Sequence, residues 1–108
     1  MKNNQQYVVQ KYLHKPYLID NLKFDLRIYV LVYGVDPLRV FVFREGLARF
    51  ATEEYTGPYN SNLDNLFMHL TNYAINKNSE YYEAADEDED ESGHKRSVSA
   101  VLKLIEEE

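Results

Sequence analysis

The sequence has no cysteine and no tryptophan, and its 108 residues include only four glycines and three prolines. Without cysteine the chain has neither a disulfide framework nor a thiolate metal site, so packing or contacts outside the chain must hold it together. No apolar run approaches the roughly 18 residues of a membrane-spanning helix, and residues 1–6 lack the apolar core of a signal peptide. These absences favour a cytosolic protein without membrane contact.

Charge is divided unevenly along the chain. Residues 1–79 carry nine Lys or Arg and seven Asp or Glu, whereas residues 80–108 carry three and eleven. The acidity therefore belongs to the second part, which has a net charge of −8, whereas the front is slightly basic at +2 and the whole chain carries −6. Eight acidic residues fall between residues 80 and 91, a composition typical of a solvated segment. We expect a mobile acidic loop over residues 80–92.

The front of the chain has the period of β-strands. Apolar side chains alternate with charged and aromatic ones from Lys23 to Tyr33, the pattern of a half-buried strand. Turn-forming residues at 34–37 and an apolar run over 39–44 predict an antiparallel hairpin. A second turn at residues 45–46 would let residues 47–52 form the third strand of a meander. A separate short strand is expected over residues 7–13.

Helical patterns follow the strands. Leu and Phe side chains recur at helical spacing over residues 63–70, and Asn62 is available as the N-cap. Residues 97–108 carry an apolar stripe of helical period, which Ser97 or Ser99 could cap, so residues 93–108 are expected to start a helix. An antiparallel meander with short helices and an acidic loop belongs to the α+β class.

Three charged residues form the most distinctive group for chemistry. Because strand side chains alternate, Lys23, Asp25 and Arg27 share one face, where two cations and a carboxylate suit a phosphorylated ligand and its metal. In a meander, Arg49 would reach the same face from the third strand. A solvent-facing charged strand remains the alternative.

Other site classes fit poorly. The three histidines are too scattered for a zinc motif, and the acidic run lacks the glycine and spaced ligands of a calcium loop. Tyrosines and basic residues interleave over residues 7–49, as in proteins that bind single-stranded nucleic acid. The nearly balanced charge of this part gives weak phosphate attraction, so we expect no nucleic-acid partner.

Four ordered segments carry a family resemblance: residues 9–13 (VQKYL), 23–27 (KFDLR), 45–50 (EGLARF) and 69–73 (HLTNY). With them, nearly the whole chain resembles the tubulin tyrosine ligase-like family, and residues 75–77 (INK) and 93–96 (GHKR) resemble its glutamate-adding members. The resemblance implies the central part of an ATP-grasp catalytic domain. Residues 7–79 would then supply the nucleotide-site strands and a short helix.

The resemblance also implies that ATP and Mg²⁺ bind, with the metal ligands outside this chain. Arg27 corresponds to a catalytic cation near the phosphates. The implied nucleotide-binding positions are Gln10, Lys11, Tyr12, Leu13, Lys23, Asp25, Thr71 and Asn72. From the residues alone, an edge strand at 10–13 and a local cap at Thr71 and Asn72 remain alternatives.

The implied contacts to an incoming glutamate come from Arg49, Tyr73 and Lys95. A guanidinium suits a carboxylate because it forms two parallel hydrogen bonds, and Lys95 would add a point charge. A plain surface lysine is the alternative for Lys95. Ala74 departs from the small hydroxyl residue of some family members.

The implied activity is ATP-dependent addition of free L-glutamate to glutamate side chains in acidic tubulin tails. The resemblance points to a monomeric cytoplasmic enzyme of the microtubule cytoskeleton, including cilium or basal body. The family's upstream lobe and its metal-binding strand have no counterpart in the sequence, so residues 1–108 alone are expected to be inactive. A non-catalytic interaction module and a tyrosine- or glycine-adding ligase remain open.

Overall fold

The computed structural model describes residues 6–84 and 92–107. Within these ranges the elements, in chain order, are β1 (Leu18–Ile19), β2 (Leu22–Arg27), β3 (Val30–Val35), β4 (Leu38–Val42), β5 (Leu47–Phe50), α1 (Leu66–His69), α2 (Tyr73–Asn76), β6 (Lys95–Ser97) and α3 (Val98–Glu107). The expected α+β class is confirmed. Antiparallel strands with a few short helices are compatible with part of an ATP-grasp fold.

Four strands form one antiparallel sheet in the order β1-β2-β5-β6. β3 and β4 form a separate hairpin, which confirms the hairpin expected around residues 34–37. β5 pairs with β2 and does not continue from β4 as expected from the sequence. Gly46 permits this return of the chain, because a Cβ at this position would collide with the carbonyl oxygen of Arg27.

The alternation from Lys23 to Tyr33 spans two strands of different sheets instead of one strand. Periodicity reports which side of a strand a residue faces, but it does not report a change of sheet. The prediction of a strand over residues 7–13 is wrong, because these exposed residues pair with no strand in the described part of the chain. A strand needs a neighbouring backbone to take up its hydrogen-bonding groups.

The hydrophobic core lies between the sheet and α3. Its buried cluster consists of Ile19, Ala48, Phe50 and Val101. Phe24 on β2 stacks on Phe50 on β5, with ring centroids 5.3 Å apart. Successive side chains of a strand face opposite sides, so Arg49 points away from this core.

The cap of α1 is Asn65 and not the expected Asn62. The Asn65 Oδ1 accepts hydrogen bonds from the backbone N–H groups of Phe67 and Met68 at 3.1 and 3.3 Å. Asn62 closes the preceding loop, where its Oδ1 accepts from the Tyr59 N–H at 2.8 Å. Both asparagines precede the same apolar pattern, so the cap signal in the sequence does not distinguish them.

The C-terminal helix is confirmed as α3, and Ser97 caps it by accepting a hydrogen bond from the Ala100 N–H at 3.1 Å. Residues 95–97 form β6, so the helix expected from residue 93 begins at Val98. None of the described helices is long and apolar enough to cross a membrane. The expected acidic loop falls largely on residues 85–91, which lie outside the described residues.

Candidate functional site

A row of three charged side chains crosses β2, β5 and β6 on the face of the sheet opposite the core. The strand register pairs Asp25 with Arg49, and Arg49 with Lys95. Directly opposite residues on neighbouring strands project to the same side. Arg49 therefore projects to the same face of the sheet as Asp25, as expected. It does so because β5 pairs directly with β2.

Arg49 and Asp25 form a bidentate ion pair. The Arg49 Nε donates to Asp25 Oδ1 at 3.1 Å, and Nη2 donates to Oδ2 at 2.6 Å. The Thr71 hydroxyl donates a further hydrogen bond to Asp25 Oδ1 at 2.5 Å. The ion pair uses two of the five N–H donors of the guanidinium, so the Arg49 side chain has further N–H donors for a second anionic group.

These contacts also set the protonation states. Burial by itself would raise the pKa of Asp25, but the hydrogen bonds from Arg49 and Thr71, with the charges of Arg49 and Arg27, outweigh burial and lower it. The hydrogen bond to Asp25 is the main reason that the pKa of Arg49 is raised. Both groups are therefore charged at neutral pH.

Lys23 precedes Asp25 by two residues and lies on the same face of β2. Its Nζ donates to the backbone carbonyl oxygen of His69 at 2.9 Å and to the Tyr12 hydroxyl at 3.4 Å. The ammonium also lies 4.9 Å from the centroid of the Tyr12 ring. This cation is held where β2, α1 and the segment before β1 meet.

The other residues expected at a nucleotide site are more exposed. Arg27 ends β2 opposite Leu47, and its side chain is exposed. Asn72 is the N-cap residue of α2, but its side chain makes no capping hydrogen bond. Residues 10–13 are exposed and lie outside the strands. Arg27 contributes to the lowered pKa of Asp25, and residues 10–13 connect to Lys23 through Tyr12.

A cavity of about 220 Å³ lies beside the charged row. Its lining includes the three residues expected to contact an amino acid, which are Arg49, Tyr73 and Lys95. Thr71, the partner of Asp25, also lines it. Residues from β5, the start of α2 and β6 therefore converge on one concave surface that carries two cations.

Two lining residues that the sequence did not predict form an aromatic wall with Tyr73. Tyr82 makes an edge contact with the Tyr73 ring and stacks on His94, each at a centroid distance of 5.8 Å. The sequence placed Tyr82 in the acidic segment and His94 among scattered histidines. The position of His94 next to Lys95 was the available signal.

His94 presents a neutral ring to the cavity. Its Nδ1 accepts a hydrogen bond from the Glu83 backbone N–H at 3.0 Å, so the proton of the neutral ring lies on Nε2. Burial lowers the pKa of His94. The His94 ring therefore lines the cavity without adding a third positive charge at neutral pH.

Asn76, which the sequence also did not predict as a site residue, lines the cavity and fixes the segments around it. It is completely buried, and its Oδ1 accepts from the backbone N–H and the hydroxyl of Thr52 at 3.1 and 2.9 Å. Its Nδ2 donates to the carbonyl oxygens of Leu70 and Asn72 at 2.8 and 3.2 Å. This side chain fixes the segment after β5 to the segment that precedes α2.

The donor set fits the phosphates of a nucleotide. Lys23 and Arg27 come from one face of β2, and such cations complement phosphate oxygens. It fits a metal ion less well, because Asp25 is engaged by Arg49 and Thr71. Within residues 6–84 and 92–107, no three His, Cys, Asp or Glu side chains come together as a metal centre requires.

Comparison with known proteins identifies the family. The family model described as the tubulin-tyrosine ligase family matches residues 1–108. A probable beta-tubulin polyglutamylase of Tetrahymena thermophila is 52% identical over 106 residues, which make up 97% of this chain and 9% of the relative. Tubulin polyglutamylase TTLL6 of Homo sapiens is 49% identical over 106 residues, covering 98% of this chain and 11% of the relative.

A further relative, tubulin polyglutamylase TTLL7 of Xenopus tropicalis, is 54% identical over 98 residues, covering 91% of this chain and 11% of the relative. The chain thus spans about a tenth of the length of these relatives. The family match covers all four of the segments singled out in the sequence. The chain belongs to the tubulin-tyrosine ligase family.

Proposed function

We propose that this chain is part of a longer enzyme that uses ATP to attach glutamate to glutamate side chains in the acidic tails of tubulin. Family membership and the polyglutamylase names of the relatives support a ligase that acts on tubulin. The observation that carries the proposal is the convergence of Arg49, Tyr73 and Lys95 on one cavity of about 220 Å³.

Glutamate suits this cavity because it has two carboxylates. Arg49 has donors for one of them beyond those used by Asp25, and Lys95 offers a point charge for the other. The aromatic wall of Tyr73, Tyr82 and His94 would shield one side of these contacts from water and so strengthen them. Glycine or tyrosine has a single carboxylate and would leave one cation without an anionic partner.

ATP would bind next to the cavity, along β2. Its adenine would contact the backbone of residues 10–13, and its phosphates would lie at Lys23 and Arg27. Asp25, Thr71 and Asn72 would contact the nucleotide on the side that faces the amino acid. The ligands of Mg²⁺ would come from outside this chain.

The chemistry would be acyl activation. An oxygen of the acceptor carboxylate attacks the γ-phosphorus of ATP, which gives an acyl phosphate and ADP. The amine of free glutamate then attacks the carbonyl carbon, phosphate leaves, and the nitrogen loses a proton as the isopeptide bond forms. Arg27 and Lys23 would stabilise charge on the transferred phosphoryl group, to which Mg²⁺ would add its own charge. Arg49 and Lys95 would hold the amine donor in place.

The substrate would be the acidic tail of tubulin, free or in microtubules, with free L-glutamate as the second substrate. The proposed enzyme is a monomer in the cytoplasm, associated with microtubules, including those of the cilium or basal body. Neither nucleic acid nor a membrane takes part in this function.

Amino-acid incorporation by the full-length protein that contains this chain tests the proposal. Purified protein, tubulin and ATP are incubated with glutamate, glycine or tyrosine in separate reactions, and the masses of the tubulin tails are measured. We expect addition of glutamate, dependent on ATP. Addition of glycine or tyrosine in place of glutamate would show that the cavity has been assigned to the wrong amino acid.

Arg49→Lys tests the cavity itself. Lysine keeps the positive charge but lacks the fork, so we expect the KM for glutamate to rise about tenfold, the effect of one charge-assisted hydrogen bond. Arg39→Lys makes the same change at an exposed position of β4 and serves as the control. If both variants have the same KM for glutamate, Arg49 does not bind the amino acid.

A further inference from the structure

A chain of hydrogen bonds links the segment before β1 to Lys23 and to α1. The Lys23 ammonium donates to the Tyr12 hydroxyl at 3.4 Å, and that hydroxyl bonds to His69 Nδ1 at 2.8 Å. His69 Nε2 in turn bonds to the carbonyl oxygen of Asn62 at 3.0 Å. The Lys23 ammonium also donates to the carbonyl oxygen of His69 at 2.9 Å, so Lys23 contacts His69 both directly and through Tyr12.

The direction of each hydrogen bond follows from the groups at the two ends of this series, the Lys23 ammonium and the carbonyl oxygen of Asn62. A backbone carbonyl only accepts, so His69 Nε2 donates to Asn62. In the neutral ring Nδ1 is then unprotonated and accepts from the Tyr12 hydroxyl. The proton of that hydroxyl is directed at His69, and its lone pairs are available to Lys23, whose ammonium only donates.

The His69 ring is held in one orientation by burial and by ring contacts. Its residue is 7% exposed, and the rings of Tyr12 and Tyr55 contact it edge-on at centroid distances of 5.6 and 6.0 Å. A buried histidine is often only part of the packing. Here both ring nitrogens have partners, and the bonds lead to a cation on the proposed nucleotide face.

We infer that Tyr12, locked by His69, is a positioning residue for the Lys23 ammonium, and that the ligand it serves is the phosphate chain of a nucleotide. This inference rests on the proposed function. Tyr12 belongs to residues 10–13, where adenine is proposed to bind, so its side chain joins the base-binding segment to the phosphate-binding cation. The Tyr12 ring attracts the ammonium, and the hydroxyl restricts where Nζ can lie.

Tyr12→Phe in the full-length protein tests the inference, because it removes the hydroxyl and keeps the ring. Calorimetric titrations measure the Kd for ATP and for adenosine, which has the same base but no phosphates. We expect the Kd for ATP to rise about three- to tenfold, the effect of one hydrogen bond, and the Kd for adenosine to stay unchanged. Tyr33→Phe, at an exposed position of β3, is the matched control.

A Lys23→Met background separates positioning from a structural role. Because Tyr12 acts through Lys23, Tyr12→Phe should not weaken ATP binding further in this background. An unchanged Kd for ATP in the single variant, an equal loss for ATP and adenosine, or an additional loss in the Lys23→Met background would each overturn the inference. A wild-type protein that binds no ATP would instead overturn the proposed nucleotide site, and the inference with it.

Discussion

Replacing Asp25 with asparagine should impair the use of glutamate more than the use of ATP. Asparagine keeps the shape of the side chain but offers one acceptor oxygen where the carboxylate offers two. Asp25 receives hydrogen bonds from both Arg49 and Thr71. The substitution leaves Arg49 without its bidentate partner, so the guanidinium loses its fixed position at the cavity.

The size of the effect follows from the geometry of the ion pair. Its hydrogen bonds are 3.1 and 2.6 Å long, and the side chains of Arg49 and Asp25 are 26% and 37% exposed. A hydrogen bond to a charged group contributes about 1.5–3 kcal/mol, and solvent screening at this exposure reduces the value to about 1–2 kcal/mol. The KM for glutamate should therefore rise roughly five- to thirtyfold.

Initial rates of glutamate incorporation by the full-length protein, at varied glutamate and ATP, give both KM values. Asp64→Asn makes the same change at an exposed position and should leave both values unchanged. If Asp25 acts through Arg49, Asp25→Asn adds little in an Arg49→Lys background. Fully additive effects of the two substitutions, or an unchanged KM for glutamate in Asp25→Asn, would refute this reasoning.

The same ion pair has a defined dependence on pH. The pKa of Asp25 is lowered from its ordinary value of 3.8, so the pair is fully formed above that value and is lost as the pH falls through the lowered pKa. The ratio of the KM for glutamate between Asp25→Asn and wild type should be constant between about pH 6 and pH 8. A ratio that changes over this interval would assign the effect to another titrating group.

Asn76→Ala should destabilise the protein by about 2–4 kcal/mol, because the buried groups that bond to Asn76 lose their hydrogen bonds. Chemical denaturation measures the free energy of unfolding, and Asn60→Ala, at an exposed position, is the control. An NMR titration should place the pKa of His94 below 6.5, and Tyr82→Ala should bring it back toward that value by exposing the ring; no change would contradict the burial argument. Residues 1–108 alone should not modify tubulin, and ATP-dependent glutamylation detected by mass spectrometry with this chain would disprove that.

Local patterns in the sequence predicted the local parts of the fold. The hairpin around residues 34–37 and the helix capped by Ser97 follow from turn chemistry and from helical spacing, which act between near neighbours. The prediction of Asn62 as the cap was wrong, because Asn65 fits the same short-range signal and is the residue that caps α1.

Contacts between distant residues were harder to predict. The pairing of β5 with β2 depends on the chain leaving the sheet as a hairpin and returning beside Arg27, which no local period records. Family resemblance selected Arg49, Tyr73 and Lys95, and the structure places them around one cavity. Tyr82 and His94 join them through stacking, and the sequence around Tyr82 has the composition of a solvated loop.

A structure of the full-length protein with glutamate and a non-hydrolysable ATP analogue would test the central claim most directly. The proposed function predicts glutamate in the cavity beside Tyr73, with one carboxylate within hydrogen-bonding distance of Arg49 and the other at Lys95. It also predicts the phosphates at Lys23. Glutamate bound elsewhere, with this cavity empty, would contradict the account.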